Sequence, residues 1–157
     1  MLKIAILGTS GMLGASLFRY FSNRNYLVTG STRNLKTKEK LLQLKGFNGS
    51  LTSDINANCI ESIKKYIEQE KPDYILNCIG VIKQKEDSID RKTEININSL
   101  LPHQLAEIAD KVNAKLIHFS TDCVFNGKKG NYLESDFADA DDIYGRSKWL
   151  GEVDYGP

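Results

Sequence analysis

Apolar runs just long enough for a strand alternate along the chain with longer stretches in which apolar residues recur at helical spacing. Leu2 to Gly8, LKIAILG, is a nearly continuous apolar run ending in glycine, the pattern of a strand covered on both faces. In GMLGASLFRYF, directly after it, Leu13, Leu17, Phe18 and Phe21 fall at helical spacing. Tyr26 to Ser31 predicts a second strand, and TKEKLLQLKG a short helix stopped by Gly46. The third strand lies within FNGSLTSDI and is the least sharply marked. Ile60, Ile63 and Ile67 make a stripe across NANCIESIKKYIEQE, and Pro72 closes that helix. DYILNCIGVI predicts a fourth strand, and KQKEDSIDRK a charged, solvated loop. A long helix covers INSLLPHQLAEIADKV, where Pro102 removes one backbone donor. Either Asn98 or Ser99 caps a helix starting there, or the helix bends at that point. AKLIHFS is a fifth strand, and a polar loop leads from it to a last helix, YGRSKWLGE.

Strands alternating with helices specify an α/β architecture: a Rossmann-type, doubly wound parallel sheet in three layers, with right-handed crossovers. Neither repeats nor Pro/Ser linkers divide the sequence, so residues 1–157 are expected to form one domain. Composition adds exclusions. A net charge of +1 gives no reason to expect nucleic acid as a partner. The longest uncharged stretches are strand-sized, short of the roughly 18 residues of a membrane span, and the N-terminus reads as a strand rather than a signal segment. A cytoplasmic protein with no membrane partner is expected. Cys59, Cys78 and Cys123 are odd in number, without a CxxC pair or clustered histidines. They predict reduced packing thiols and neither a disulfide framework nor a metal site.

The first chemical signal is GTSGMLG, Gly8 through Gly14, with glycines spaced GxxGxxG between a strand and a helix. Side chains at the glycine positions would keep the backbone amides from a pyrophosphate, and the helix N-terminus supplies partial positive charge. Tight packing alone is the competing explanation. After the second strand, GSTRN carries Arg33 and no nearby acid. A base there suits the 2'-phosphate of NADP, so NADP(H) is preferred over NAD(H), a solvated arginine being the alternative. Asp54, with Ile55 behind it, follows the third strand, where an acid can meet the adenine or simply cap a turn. Tyr144 and Lys148 are four apart on one helix and therefore neighbours. An ammonium beside a phenol favours the phenolate and lowers its pKa from about 10, which suits the pair to moving a proton. Ser120 and Thr121, at the end of the fifth strand, offer a hydroxyl to hold a carbonyl.

GTSGMLG, STDCVFNG and YGRSKWLGE, in that order across the whole chain, resemble the extended short-chain dehydrogenase/reductases, and most closely the dTDP-4-dehydrorhamnose reductase group, whose strand-five motif is typically STDYVFxG. PDYILNCIG and ININSLLPHQLA are similar to that group's fourth strand and following helix. The resemblance implies Tyr144 as proton donor, Lys148 as ribose ligand and pKa modulator, and Thr121 as second hydroxyl on the substrate carbonyl. Its implied cofactor contacts are Gly8, Thr9, Ser10, Gly11, Met12, Leu13, Gly14, Arg33, Asp54, Ile55, Cys78, Ile79, Gly80, Tyr144 and Lys148. Cys123 stands where the family usually has Tyr, and NCIG replaces a more common alanine-rich stretch.

Members of the group run to nearly twice this length and carry a smaller C-terminal domain that grips the nucleotide sugar. The resemblance therefore implies the N-terminal portion of such an enzyme, truncated before the substrate domain and with little or no turnover by itself. The implied reaction is NADPH-dependent reduction of a nucleotide-linked keto-deoxysugar in nucleotide-sugar or polysaccharide biosynthesis. An epimerase or dehydratase of the same superfamily is a close variant. A dinucleotide-binding regulatory subunit, like that of methionine adenosyltransferase, is the second class. Folds of this kind often pair through exposed helices, so a homodimer stays open, with no interface specified by the sequence.

Overall fold

The computed structural model describes residues 1–82 and 90–154. Five parallel strands, β1 (Lys3–Leu7), β2 (Leu27–Ser31), β3 (Ser50–Thr52), β4 (Tyr74–Asn77) and β5 (Lys115–His118), form one sheet in the order β3-β2-β1-β4-β5. The chain builds outward from β1 to β3, then returns to lay β4 on the other side of β1. The carboxyl ends of β1 and β4 therefore diverge into the crevice where open α/β sheets hold ligands.

Side chains alternate along the strands, so each strand feeds two cores. Ala5, Leu7 and Ile75 face α3 (Ile60–Glu70) and α5 (Leu101–Lys111), meeting Ile63, Ile67, Leu101 and Leu105. Ile4, Ile6, Val28 and Leu76 face the other way, onto Phe18 of α1 (Met12–Ser22) and Leu41 of α2 (Leu35–Leu42). Burial on both faces accounts for the unbroken apolar runs of β1 and β4.

Four differences from the predicted elements have an identifiable local cause. Helix α2 begins earlier, because Asn34 caps it by accepting the Thr37 N–H at 2.9 Å. Strand β4 stops at Asn77, whose side chain accepts the Ile79 N–H at 3.1 Å and turns the chain out of the ladder. The predicted charged loop lies over 83–89 outside the described residues. At its end Asp90 accepts the Lys92 N–H at 3.2 Å and starts α4 (Arg91–Ile95), so Arg91 and Lys92 are helical. The fourth difference concerns Pro102. Helix continues from α4 through a π-helical turn (Asn96–Leu100) into α5, and neither Asn98 nor Ser99 caps it. A π turn places the missing proline donor where the ladder is already re-registered.

That turn seats α6 (Ile143–Leu150). Asn98 Nδ2 donates to Ser147 Oγ at 3.1 Å, and Ser99 Oγ donates to the Ser147 carbonyl at 2.8 Å. A Cβ on Gly151 would stand 1.9 Å from the Asn98 carbonyl oxygen, and one on Gly145 2.1 Å from that of Cys123. Only glycine lets the helix approach so closely at both ends. Gly151→Ala is expected to destabilise the chain by about 1–3 kcal/mol, the usual range for overpacking, read as a lowered urea midpoint.

Candidate active site

The loop after β1 is shaped by backbone contacts. Gly8 has φ +80°, and a Cβ there would stand 3.1 Å from the Cys78 carbonyl oxygen. A Cβ on Gly14 would stand 2.3 Å from the Gly8 carbonyl oxygen, so α1 presses directly on the loop. A Cβ on Gly11 would meet only the Gly8 carbonyl oxygen, at 3.5 Å. Gly11 caps α1 without a side-chain hydrogen bond, and the first turn holds no acid. Its amides and partial positive charge are thus presented to an anion. Ser10, Gly11, Met12 and Leu13 are exposed. Thr9 differs: fully buried, it donates Oγ1 to the Ser31 carbonyl at 2.6 Å and ties the loop to β2.

Arg33 and Asp54 share one rim. The Thr32 N–H donates to the Thr52 carbonyl at 2.9 Å and the Ile55 N–H to the Thr32 carbonyl at 3.1 Å, which joins the two strand ends carrying them. Arg33 is exposed. Asp54 sits at φ +66° and accepts from Ser53 Oγ at 2.7 Å, while Ile55 packs on the core. Across the crevice Cys78 is half-buried, and burial pushes its thiol up to about 12, leaving a neutral packing group. Ile79 is half-buried and Gly80 exposed.

Lys148 is buried, at 6% exposure. Its Nζ donates to the Phe119 carbonyl at 2.6 Å and lies 3.4 Å from His118 Nε2. Burial lowers the lysine's pKa, opposed by the carboxylate of Glu152. Thr121 follows Phe119 by two residues; its Oγ1 accepts from the Cys123 N–H at 3.2 Å and donates to Asp122 Oδ1 at 3.3 Å. Asp142 caps α6, accepting the Gly145 N–H at 2.8 Å, and so fixes the turn bearing Tyr144. Among the described residues the half-buried Tyr144 hydroxyl has no hydrogen-bond partner. The structure therefore gathers Lys148 and Thr121 at the end of β5, with Tyr144 one helical turn before Lys148.

Two contributors, His118 and Asn77, are not among the site residues read from the sequence. His118 is pushed down to about 4 by burial first and by Lys148 next. Asn77 pairs with it, Nδ2 to Nδ1, at 3.1 Å. Ser120 Oγ donates to Glu152 Oε1 in a short hydrogen bond. A polar residue closing an apolar strand, Asn77, was the one available signal. Beyond Thr121 opens a cleft of about 560 Å³, lined by Phe125, Tyr132, Trp149 and Glu152 among others. Among the described residues no group of three or more His, Cys, Asp or Glu is placed to hold a metal ion, and no helix is long and apolar enough to cross a membrane.

The strand order and the glycine loop at its switch point make this a Rossmann-type fold. More narrowly, the chain belongs to the RmlD substrate binding domain family, which it matches over residues 2–154. It is 26% identical to methionine adenosyltransferase 2 subunit beta of Danio rerio, across 96% of this chain and 42% of that protein. With dTDP-4-dehydrorhamnose reductase of Aggregatibacter actinomycetemcomitans it shares 28% identity, across 97% of this chain and 46% of the other. Among solved structures, the hypothetical dTDP-4-dehydrorhamnose reductase of Sulfolobus tokodaii superposes with a TM-score of 0.77 at 26% identity, over 96% of this chain and 50% of that one. The dTDP-4-dehydrorhamnose reductase of Bacillus anthracis, solved in complex with NADP, gives 0.69 at 22% identity, over 96% and 48%. The chain spans about half the length of the relatives it matches.

The histidine makes stability depend on pH. The folded chain keeps His118 neutral down to about pH 4, whereas an unfolded chain protonates it near 6.5. Between those values the unfolded state binds more protons, so unfolding free energy falls as pH drops through the window. The loss expected from this group is roughly 2–3 kcal/mol, allowing for partial exposure. Urea titrations of wild type and His118→Phe at pH 7 and pH 4 measure it as the part of the pH effect the variant lacks.

Proposed function

We infer that this chain is the dinucleotide-binding part of an NADPH-dependent reductase acting on the keto group of a nucleotide-linked deoxysugar, as in dTDP-4-dehydrorhamnose reductase. The observation that carries this is the buried Lys148 amine, anchored at the Phe119 carbonyl beside Thr121 and one turn from Tyr144. Such an arrangement has no need to exist in a fold that only packs.

The residues present suit a dinucleotide. Gly8 to Gly14 offer backbone amides for the pyrophosphate, a helix N-terminus without its own cap or acid faces the same point, and Arg33 stands at the rim that a 2'-phosphate would reach. Thr9 supports this loop from behind, through Ser31. When bound, the reduced nicotinamide supplies the hydride. Tyr144 donates its phenolic proton to the carbonyl oxygen, and an ammonium on Lys148 stabilises the phenolate left behind. Thr121 turns its hydroxyl hydrogen from Asp122 to the same oxygen. Aromatic walls at Phe125, Tyr132 and Trp149 make the cleft beyond Thr121 a fitting place for a sugar or base ring.

Likeness to methionine adenosyltransferase 2 subunit beta favours a second reading, in which the chain binds dinucleotide as a subunit without turnover. The complete set of Thr121, Tyr144 and Lys148 supports the enzyme. In either case cofactor binding belongs to these 157 residues, whereas turnover on a sugar nucleotide is proposed to need the half of the relatives that this chain does not span.

Fluorescence titration of the chain is expected to show NADPH binding more tightly than NADH. Arg33→Ala should weaken NADPH about tenfold, the scale of one charge-assisted contact, and leave NADH unchanged; absence of binding by either nucleotide overturns the reading. In a form extending over the relatives' full length, Tyr144→Phe should lower kcat by about 100-fold or more while NADPH binding persists. Unchanged function in that variant would support the subunit reading instead.

A further inference from the structure

Asn77, His118 and Lys148 stand in a line across the ends of β4, β5 and α6, and the proton positions along it follow from the heavy atoms. Asn77 is 1% exposed and lies in register with Leu7 on one side and His118 on the other. Its Oδ1 accepts the Ile79 N–H at 3.1 Å, a contact the amide nitrogen cannot make. The amide is therefore oriented, and Nδ2, which can only donate, faces His118 Nδ1 at 3.1 Å. Nδ1 must carry the lone pair. A neutral ring then bears its hydrogen on Nε2, and Nε2 lies 3.4 Å from Lys148 Nζ.

An imidazole N–H and an ammonium cannot hydrogen-bond each other, since both are donors. An uncharged amine can accept that hydrogen and still donate one of its own to the Phe119 carbonyl. The groups that act on Lys148 are His118 from β5 and Glu152, two residues past the end of α6, with Tyr144 one turn earlier on α6 and His103 of α5 acting on His118. Glu152 is hydrogen-bonded by Ser120 and makes no ion pair with Lys148 among the described residues.

We propose that Asn77 and His118 are positioning residues that govern the proton on Lys148: Asn77 locks the Nε2–H tautomer of His118, and that N–H, aimed at the amine, favours the uncharged lysine over the ammonium. The functional meaning rests on the role assigned above to Lys148. There the lysine must be charged to stabilise a tyrosine phenolate, so the pair keeps the resting site short of that charge. Anionic phosphates arriving at the α1 N-terminus would then draw a proton from solvent onto Lys148.

The arrangement is measurable in the chain as it stands, without nucleotide. Long-range 15N NMR of the imidazole at pH 7 is expected to show hydrogen on Nε2 and a bare Nδ1, and hydrogen on Nδ1 or on both nitrogens overturns the proposal. Asn77→Asp keeps the acceptor for Ile79 but offers His118 a second acceptor. The ring hydrogen should move to Nδ1, and the 13Cε resonance of Lys148 should titrate at higher pH than in wild type. His118→Phe keeps a ring of similar size and removes the N–H, and the lysine should again titrate higher. An unchanged Lys148 titration in both variants sinks the idea. NADPH titration separates the two readings: an Nε2–H tautomer in a chain that binds no dinucleotide retires the reductase but not the proton arrangement, and the wrong tautomer in a chain that binds NADPH does the reverse.

Discussion

An amine with 6% exposure and no ion-pair partner among the described residues has to be held by neutral groups, and in this fold the Phe119 carbonyl holds Lys148. Burying an ammonium among neutral dipoles is costly, so burial favours the uncharged amine and the position of the nitrogen must be fixed by hydrogen bonds. The bond ties the residue that follows β5 to the last turn of α6. Through it the hydroxyl of Thr121 and the phenol of Tyr144 share one frame with the sheet. The rest of the C-terminal third can be read as what keeps that single contact short.

Two close backbone approaches do most of this. Gly145 lets α6 lie against the carbonyl of Cys123, and Gly151 lets it lie against the carbonyl of Asn98, so the helix is gripped near both ends. Asp142 caps the first turn, and Ser147 is hydrogen-bonded by both Asn98 and Ser99. At the other end of the crevice Gly14 seats α1 on the loop by the same device. Side chains supply specificity only after glycines have set the distances between elements.

Periodicity made most of this fold legible. Strands β1 and β4 are apolar runs because helices cover both faces, while β5, at the sheet edge, leaves Ile117 exposed; α1, α3 and α5 show their stripes because one side of each meets the sheet. Short, polar decisions were hidden. Asp90 begins a helix inside what reads as a charged loop, since one cap outweighs a run of surface charge. The Asn77 side chain stops β4 five residues before the apolar pattern ends. Among site residues, the glycines, Thr121, Tyr144 and Lys148 stand in recognisable spacings. His118 and Asn77 look like ordinary strand positions, and their meaning comes from cross-strand register, which pairs residues 41 apart. Thr9 falls inside a cofactor motif yet turns its side chain into the protein, because the loop must be fastened to β2 before it can hold anything.

The π-helical turn at Asn96–Leu100 is one residue wider than a regular turn, and that surplus aims Asn98 and Ser99 at α6. Loss of a single residue from this stretch would restore an ordinary helix and swing both side chains about 100° around its axis. The helix itself would be improved, but its grip on the segment bearing Tyr144 and Lys148 would be gone. Chain length between Arg91 and Lys111 is thus a constraint in its own right, one that substitutions can drift around but an insertion or deletion cannot.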